Sequence, residues 1–315
     1  MRVVFLLMLL ILIGVVLLSF WSYMKAFYNK QGRKRDASVL PKRGPYEAVK
    51  DKVKPLIEEM ENIQWEEVFI YSRDGLRLFG KYNHVSDGAP LHIQFHGYKG
   101  SAYRDFCGGN KLARDMGHNT LVVDQRAHGK SEGHTISFGI KERFDCLDWI
   151  EYVNGRFGEN TDIIISGLSM GASTVLMAAN EPLPQNVRAI IADCPYSSPA
   201  DIIMKVCADI GLPPKPSIPF AYLGAKLFGG FDLYECDAVS GAEKSKIPIL
   251  IIHGEGDDFV PPEMSLKIAH ANPQMVKYVT FPEAGHGLSY MKDEERYVAE
   301  VSDFIKGVIK EDSPA

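Results

Sequence analysis

A serine flanked by glycines at the end of an aliphatic run is a position from which a hydroxyl can attack an electrophile. The run DIIIS (162–166) leads directly into Gly167-Leu168-Ser169-Met170-Gly171 and then into the helix-favouring ASTVLMAAN. In a strand-turn-helix setting the glycines permit a sharp turn that exposes the serine at the carboxyl edge of a sheet. A serine hydroxyl is a weak nucleophile at neutral pH, so Ser169 needs a base within hydrogen-bond reach and an acid to orient that base. In this setting the expected chain order is serine, acid, histidine. PILIIHG (248–254) is followed by Glu255-Gly256-Asp257-Asp258, which places Asp257 in the loop after a strand, with Asp258 as the competing carboxylate. VKYVTF (276–281) is followed by PEAGHG, which places His286 in a glycine-flanked loop as the expected base. The other histidines suit the role less: His92 and His96 lie on or at the end of a strand, His253 precedes the acid loop, and His118 and His270 read as surface residues.

A tetrahedral oxyanion requires backbone N–H donors. One is expected from Met170, immediately after the nucleophile. The second is expected from the loop His96-Gly97-Tyr98-Lys99-Gly100-Ser101, and Tyr98 is chosen, its competing role being that of an ordinary loop aromatic. Two other motifs carry no chemistry. Gly129-Lys130-Ser131 resembles the end of a phosphate-binding loop, but position 124, where its first glycine belongs, is aspartate. Gly254-Glu255-Gly256 lacks the third glycine of a dinucleotide fingerprint. No metal-ligand spacing occurs, and neither metal nor cofactor is expected.

Positioning these loops demands a sheet. LHIQF (91–95), TLVVD (120–124), DIIIS, AIIAD (189–193), PILIIHG and VKYVTF lack polar alternation, as strands buried on both faces do, and helix-compatible segments separate them. The pattern predicts a mostly parallel, doubly wound α/β sheet. WEEVFIYS (65–72) and LRLFGKYNH around Asp74-Gly75 predict an antiparallel hairpin ahead of it, preceded by a helix over about 46–61. One interval breaks the rhythm. About 50 residues with several prolines and aromatics (197–247) separate two strands, too many for a simple connection, and predict a small helical cap; the competing reading is an elaborated crossover helix.

Val3 to Met24 carries no charge, and its roughly 22 residues at about 1.5 Å each match a bilayer core. Phe20, Trp21 and Tyr23 follow where a signal peptide would place a small-residue cleavage site. An uncleaved transmembrane anchor over 1–25 is expected, with a cleaved signal peptide as the rival. Residues 26–45 are basic, with Pro and Gly, and read as a linker to a domain spanning 46–315. Lys25, Lys30, Arg33, Lys34 and Arg35 after the span favour a cytoplasmic body, against an exported one. Five widely spread cysteines with no close pair agree with reduced residues in a reducing compartment. Beyond residue 40 there are 29 Lys and Arg against 39 Asp and Glu, so the body is acidic and offers no nonspecific nucleic-acid surface.

Taken together, HGYKGS, DQRAHGKSEG, GLSMGAS and HGEGDDFVP, closed by PEAGHG, resemble the α/β-hydrolase superfamily from about Trp65 to Lys306. The resemblance extends to membrane-anchored α/β-hydrolase-domain proteins, peptidase-like serine hydrolases and monoacylglycerol lipases. It implies the α/β-hydrolase fold with a cap, a Ser169, Asp257, His286 triad and an oxyanion hole at Tyr98 and Met170. DQRAHGKSEG departs from the usual R-G-x-G at Arg126-Ala127-His128-Gly129, in a segment that is structural in the family. With no propeller-sized region among the roughly 90 residues before the oxyanion loop, prolyl-peptidase activity is not expected, and Ser169 in place of Asp sets haloalkane dehalogenation aside. The expected function is hydrolysis of a carboxylic ester or thioester, with a lipid acyl ester among the candidates. The alternatives are a peptidase or amidase on small substrates and a non-catalytic membrane-anchored binding protein. The expected partners are thus a small acyl-ester molecule and, through the N-terminal helix, a membrane.

Overall fold

Aliphatic runs without polar alternation must be covered on both sides, and the chain does this with helices on each face of one eight-stranded sheet. The computed structural model describes residues 1–30 and 45–309. Helices α1 (Arg2–Ala26) and α2 (Pro45–Glu61) precede the hairpin of β1 (Glu66–Tyr71) and β2 (Arg77–Asn83). β3 (Leu91–Phe95) leads to α3 (Ala102–Asp105) and α4 (Cys107–Asp115), β4 (Asn119–Asp124) to α5 (Glu142–Phe157), and β5 (Ile163–Leu168) to α6 (Met170–Ala178). After β6 (Val187–Asp193) come α7 (Pro199–Asp209), α8 (Pro214–Gly224), a π-helical turn (Ala225–Gly229) and α9 (Ala238–Lys244). β7 (Ile249–Gly254), α10 (Pro262–Ala271), β8 (Val276–Phe281), α11 (Ser289–Lys292) and α12 (Glu294–Val308) complete the described chain.

The strand order is β1-β2-β4-β3-β5-β6-β7-β8. β2 pairs antiparallel with both β1 and β4, and every pairing beyond β4 is parallel. Successive strand side chains point to opposite faces, and β5 shows the consequence. Ile163 and Ile165 join Trp149 and Val175 in one core, while Ile164 joins Leu250 and Val301 in the other. This is the α/β-hydrolase fold expected from the motifs, with the carboxyl ends of β3, β5, β7 and β8 at one edge.

The interval 197–247 divides in two. α7 and α8 pack on each other, and α8 lies along α1. α9 instead packs on α6 and α10 against the sheet, where a Cβ on Gly241 would fall 1.9 Å from the Leu176 carbonyl oxygen. The candidate cap is thus α7 and α8, while α9 runs between β6 and β7 against the sheet.

The stretch read as a basic linker also divides. Residues 31–44 lie outside the described residues, but Phe27 is completely buried among Phe138, Phe231 and Tyr23. The backbone around it is stitched to 127–136: Ile136 N–H donates to the Phe27 carbonyl at 2.8 Å, Asn29 N–H to the His134 carbonyl at 2.8 Å, and Asn29 Nδ2 to the Ala127 carbonyl at 2.7 Å. The folded domain therefore begins before residue 30. Phe27→Ala should destabilise the protein by about 3–5 kcal/mol, the cost of emptying a buried phenylalanine site. Urea unfolding of purified variants checks this, and a cost below about 1 kcal/mol would show that Phe27 lies outside the core.

Candidate active site

The turn after β5 is shaped by its glycines. A Cβ on Gly167 would lie 2.2 Å from the Gly171 carbonyl carbon, and one on Gly171 would lie 1.8 Å from the Phe95 carbonyl oxygen. Neither position admits a larger residue, so strand and helix close tightly around Ser169, whose φ of 55° and ψ of -114° are sparsely populated for a side-chain-bearing residue. Ser169 N–H donates to the Asp193 carbonyl at 2.8 Å, and the Ser169 carbonyl accepts from Ser173 N–H at 3.0 Å as α6 begins. The side chain is thereby held at the sheet edge, at the electropositive end of α6.

His286 reaches it from the loop after β8. Nε2 is 2.9 Å from Ser169 Oγ, and Nδ1 is 2.7 Å from Asp257 Oδ2 in the loop after β7. The nucleophile, base and acid expected from the sequence thus come together in one hydrogen-bonded line. Asp258, the competing carboxylate, is exposed, and its backbone carbonyl accepts from Lys205 Nζ at 2.7 Å. Burial works against the Asp257 carboxylate. Hydrogen bonds from His253 and His286, the charge His286 acquires on protonation, and the Val260 N–H outweigh burial and hold Asp257 well below the usual carboxylate range. Asp257 Oδ1 accepts from Phe259 N–H at 3.0 Å and Val260 N–H at 2.8 Å, leaving Oδ2 for the histidines.

His253 supplies a contact that the sequence did not disclose. It is fully buried, with Nε2 3.2 Å from Asp257 Oδ2 and 2.8 Å from the Val260 carbonyl, and Nδ1 2.6 Å from Ser265 Oγ. The Val260 carbonyl can only accept, so Nε2 carries the proton and also faces the carboxylate. At the end of an aliphatic strand such a residue reads as core, and only the fold brings it under the acid loop.

The loop chosen for the second oxyanion donor runs beside the nucleophile: a Cβ on Gly97 would lie 3.4 Å from Ser169 Cβ. Its backbone is held from several sides. Gly97 N–H donates to Asp105 Oδ2 at 2.8 Å, Lys99 N–H to His128 Nε2 at 3.0 Å, and Gln125 Nε2 to the His96 carbonyl. The Tyr98 hydroxyl donates to the Ala26 carbonyl at 2.8 Å, and its ring stacks on Phe138 at 5.1 Å. Through its side chain Tyr98 ties this loop to the end of α1. Met170 is fully buried at the first position of α6.

The departure at Arg126-Ala127-His128-Gly129 has a physical form. Arg126 is buried between Asp145, at 2.7 and 2.6 Å, and Asp74, at 2.8 and 3.1 Å, and pins the segment. Ala127 has φ of 63°, a conformation that glycine adopts at lower cost. His128 Nδ1 lies 2.9 Å from the Arg126 carbonyl and must donate to it, leaving Nε2 as the acceptor for Lys99 N–H. The segment thus holds the oxyanion loop through a neutral histidine, a role invisible in the motif itself. His118, read as a surface residue, is buried, with Nδ1 2.9 Å from His92 Nε2.

These buried histidines make stability acid-sensitive. Burial, followed by the neighbouring His96, pushes His128 down to about 4, and burial with His118 pushes His92 down to about 3. Both values lie below the ordinary 6.5. The unfolded chain therefore takes up protons before the folded one, and stability falls as pH drops from 6.5 toward these values, by about 1.4 kcal/mol per unit for each histidine. In His128→Gln, whose amide oxygen can still accept from Lys99 N–H, the loss between pH 7 and 4.5 should shrink by about 2–3 kcal/mol. Urea titrations at the two pH values measure it, and equal losses in the two proteins would refute the assignment.

Cys194, Asp257 and His286 place possible ligand atoms within 4.8 Å of one another. Asp257 and His286 are already bonded to each other, and burial pushes the Cys194 thiol well above its usual value, so the cluster is better suited to proton transfer than to holding a cation. Chemically, the arrangement can remove a proton from the Ser169 hydroxyl as it attacks.

The comparisons with known proteins agree with this fold. The family model of the prolyl oligopeptidase family matches residues 136–312, and that of the X-Pro dipeptidyl-peptidase (S15) family matches 31–209. The Bacillus subtilis protein YqkD is 31% identical over 196 residues, which cover 62% of this chain and 64% of that protein, slightly under two thirds of the relative's length. Protein bem46 of Schizosaccharomyces pombe is 22% identical over 254 residues, covering 78% of this chain and 77% of bem46. Among solved structures, an esterase of Pyrococcus furiosus superposes with a TM-score of 0.64 at 21% identity, covering 90% of this chain and 98% of the esterase. The acylaminoacyl peptidase of Pyrococcus horikoshii superposes with a TM-score of 0.61 at 19% identity, covering 83% of this chain and 44% of the peptidase. The chain belongs to the prolyl oligopeptidase family and, with it, to the α/β-hydrolase serine hydrolases.

Proposed function

We propose that the protein hydrolyses carboxylic esters, thioesters and lipid acyl esters included, through an acyl-enzyme on Ser169. His286 takes the Ser169 proton as the hydroxyl attacks, while Asp257 holds the imidazole in the tautomer that leaves Nε2 free to accept. Tyr98 and Met170 N–H groups receive the oxyanion. His286 returns the proton to the leaving alcohol, and then activates water to release the acid. The observation that carries this reading is the continuous line Ser169 Oγ, His286, Asp257 at 2.9 and 2.7 Å, at a strained strand-to-helix turn.

The preference for esters over amides rests on the apolar surroundings. Met170 shares one cluster with Phe138, Tyr196, Ile203 and Val260 from the cap and neighbouring loops, together with Tyr23 and Phe27 of the N-terminal segment. Apolar surroundings of this kind suit an acyl chain better than a peptide backbone, which needs hydrogen-bond partners. Family membership favours the second reading, a peptidase or amidase with the same residues. Matched ester and amide substrates sharing one acyl group separate the two: ester turnover should dominate by a kcat/KM ratio far above the ratio of the uncatalysed reactions, and amide turnover at the ester's rate would reverse the assignment.

Membrane attachment through α1 belongs to the same proposal. The most apolar 18-residue window of α1 has a mean hydropathy of 3.3, and 6% of it is buried. The buried Phe27 and the stitched segment 27–29 favour a retained helix over a cleaved signal. A cytoplasmic catalytic domain follows from the basic residues after the span.

A further inference from the structure

α1 does not leave the domain as a free stalk. Its first buried residue is Ser19, and from there it lies against α8, so closely that a Cβ on Gly224 would sit 2.5 Å from the Ser19 carbonyl oxygen. Phe20 meets Phe228 of the π-helical turn edge-on at 5.1 Å, and Tyr23 lies 6.0 Å from the same ring while its hydroxyl bonds Thr135 Oγ1 at 2.8 Å. On the outer side of this seam, Phe20, Trp21, Leu227 and Phe228 are exposed by 45, 48, 60 and 37%. Four large apolar side chains thus stay exposed as a patch on two elements, which meet where Phe20 touches Phe228.

The length of α1 says what covers the patch. The roughly 17 residues from Arg2 to Leu18 rise about 25 Å, short of the about 30 Å of a hydrocarbon core. A bilayer spanned by α1 must therefore extend past Leu18 to the level of Phe20 and Trp21. Phe228 is in contact with Phe20 at that level, and Leu227 precedes it on the same turn. We propose that the cap is seated in the bilayer: Leu227 and Phe228 enter the lipid surface beside Phe20 and Trp21, and the ester the enzyme cleaves is drawn from that bilayer. Four ring contacts join the seat to the oxyanion loop: Phe228 to Tyr23 at 6.0 Å, Tyr23 to Phe27 at 6.4 Å, Phe27 to Phe138 at 5.7 Å and Phe138 to Tyr98 at 5.1 Å. The inference rests on reading α1 as a membrane span and the site as a serine esterase.

The seating is tested without turnover. Leu227→Cys in a Cys207→Ser background, purified full length and reconstituted in phosphatidylcholine vesicles, is labelled with a bimane fluorophore. Strong quenching by doxyl-labelled phosphatidylcholine and weak quenching by aqueous iodide is the expected result, with the reverse for the same label at Glu159→Cys on the exposed loop after α5. Iodide quenching at 227 equal to that at 159 would overturn the seating even in an active enzyme. Substrate supply is read from Leu227→Glu as the ratio of two rates, 4-methylumbelliferyl oleate carried in the vesicles against soluble p-nitrophenyl acetate. A charge at the lipid surface should lower that ratio about fivefold, roughly 1 kcal/mol; an unchanged ratio would show that the ester does not come from the bilayer. A protein that shows lipid quenching but no turnover of either ester would leave the cap seated and sink the esterase reading alone.

Discussion

Ser169→Ala should lower kcat on an activated ester by about a million-fold, while the urea midpoint stays near that of the wild type. The size follows from cooperation within the line of hydrogen bonds: without the nucleophile, His286 and Asp257 have no proton to move, and only the oxyanion donors and binding remain. Stability should hold because the turn is fixed by backbone bonds from Ser169 N–H and to the Ser169 carbonyl, and by the close contacts of Gly167 and Gly171, all of which alanine retains. Loss of the hydroxyl also removes its bond to His286 Nε2, which is exchanged for water at a partly exposed ring. Steady-state rates with p-nitrophenyl butyrate, alongside unfolding curves, check both halves. A variant retaining a tenth of the wild-type rate would remove Ser169 from the chemistry.

Asp257→Asn should reduce kcat by about ten-thousand-fold, because an amide in place of Oδ2 can donate to Nδ1 and favour the tautomer whose Nε2 cannot accept the serine proton. The neighbouring Asp258→Asn should change kcat less than about twofold, since its carboxylate is exposed and only its backbone carbonyl is engaged, by Lys205. Two adjacent residues of the same type thus separate by about three to four orders of magnitude. Asp257→Asn should also stabilise the protein less at neutral pH than the wild-type carboxylate does. A carboxyl held below its unfolded value contributes stability above that value, and loses it as pH falls through the folded one. Parallel kinetics of the two variants decide the assignment, and a larger loss in Asp258→Asn would transfer the role to that residue.

The sheet was legible because a strand covered on both faces needs no polar alternation, and Ile163, Ile164 and Ile165 declare this within three residues. Ser169, Asp257 and His286 were legible for a related reason: each follows such a strand, and the turn chemistry of glycine marks the loop. The choice between Asp257 and Asp258 needed the fold, because consecutive loop carboxylates diverge only when the Phe259 and Val260 N–H groups capture one of them. His253 and His128 were not legible as parts of the site. One sits at a strand end and the other in a segment known for packing, and their partners are Asp257 in the acid loop and Lys99 in the oxyanion loop, the latter 29 residues away along the chain. The segment 26–30 was hidden by its surroundings: a polar, basic composition from 26 to 45 masked Phe27, whose cavity is built by Phe138 and Phe231 from far along the chain. Composition describes a segment's average, whereas one aromatic ring, two backbone hydrogen bonds and one from the Asn29 side chain are enough to fix its start.

The division of the interval 197–247 has the same origin. α9 and α7–α8 share small residues and short helical runs, and nothing local distinguishes a helix that covers the sheet from one that packs along α1. Gly241 against the Leu176 carbonyl and Gly224 against the Ser19 carbonyl make the distinction, and both are contacts between distant parts of the chain.

The central claim is that Ser169 is a serine activated for covalent attack. Reaction of the full-length protein in membranes with a fluorophosphonate, followed by mass mapping of peptides, tests it most directly. The account predicts one phosphonylated residue, Ser169, with labelling abolished in Ser169→Ala. Labelling of folded protein at another serine, or at none, would contradict it.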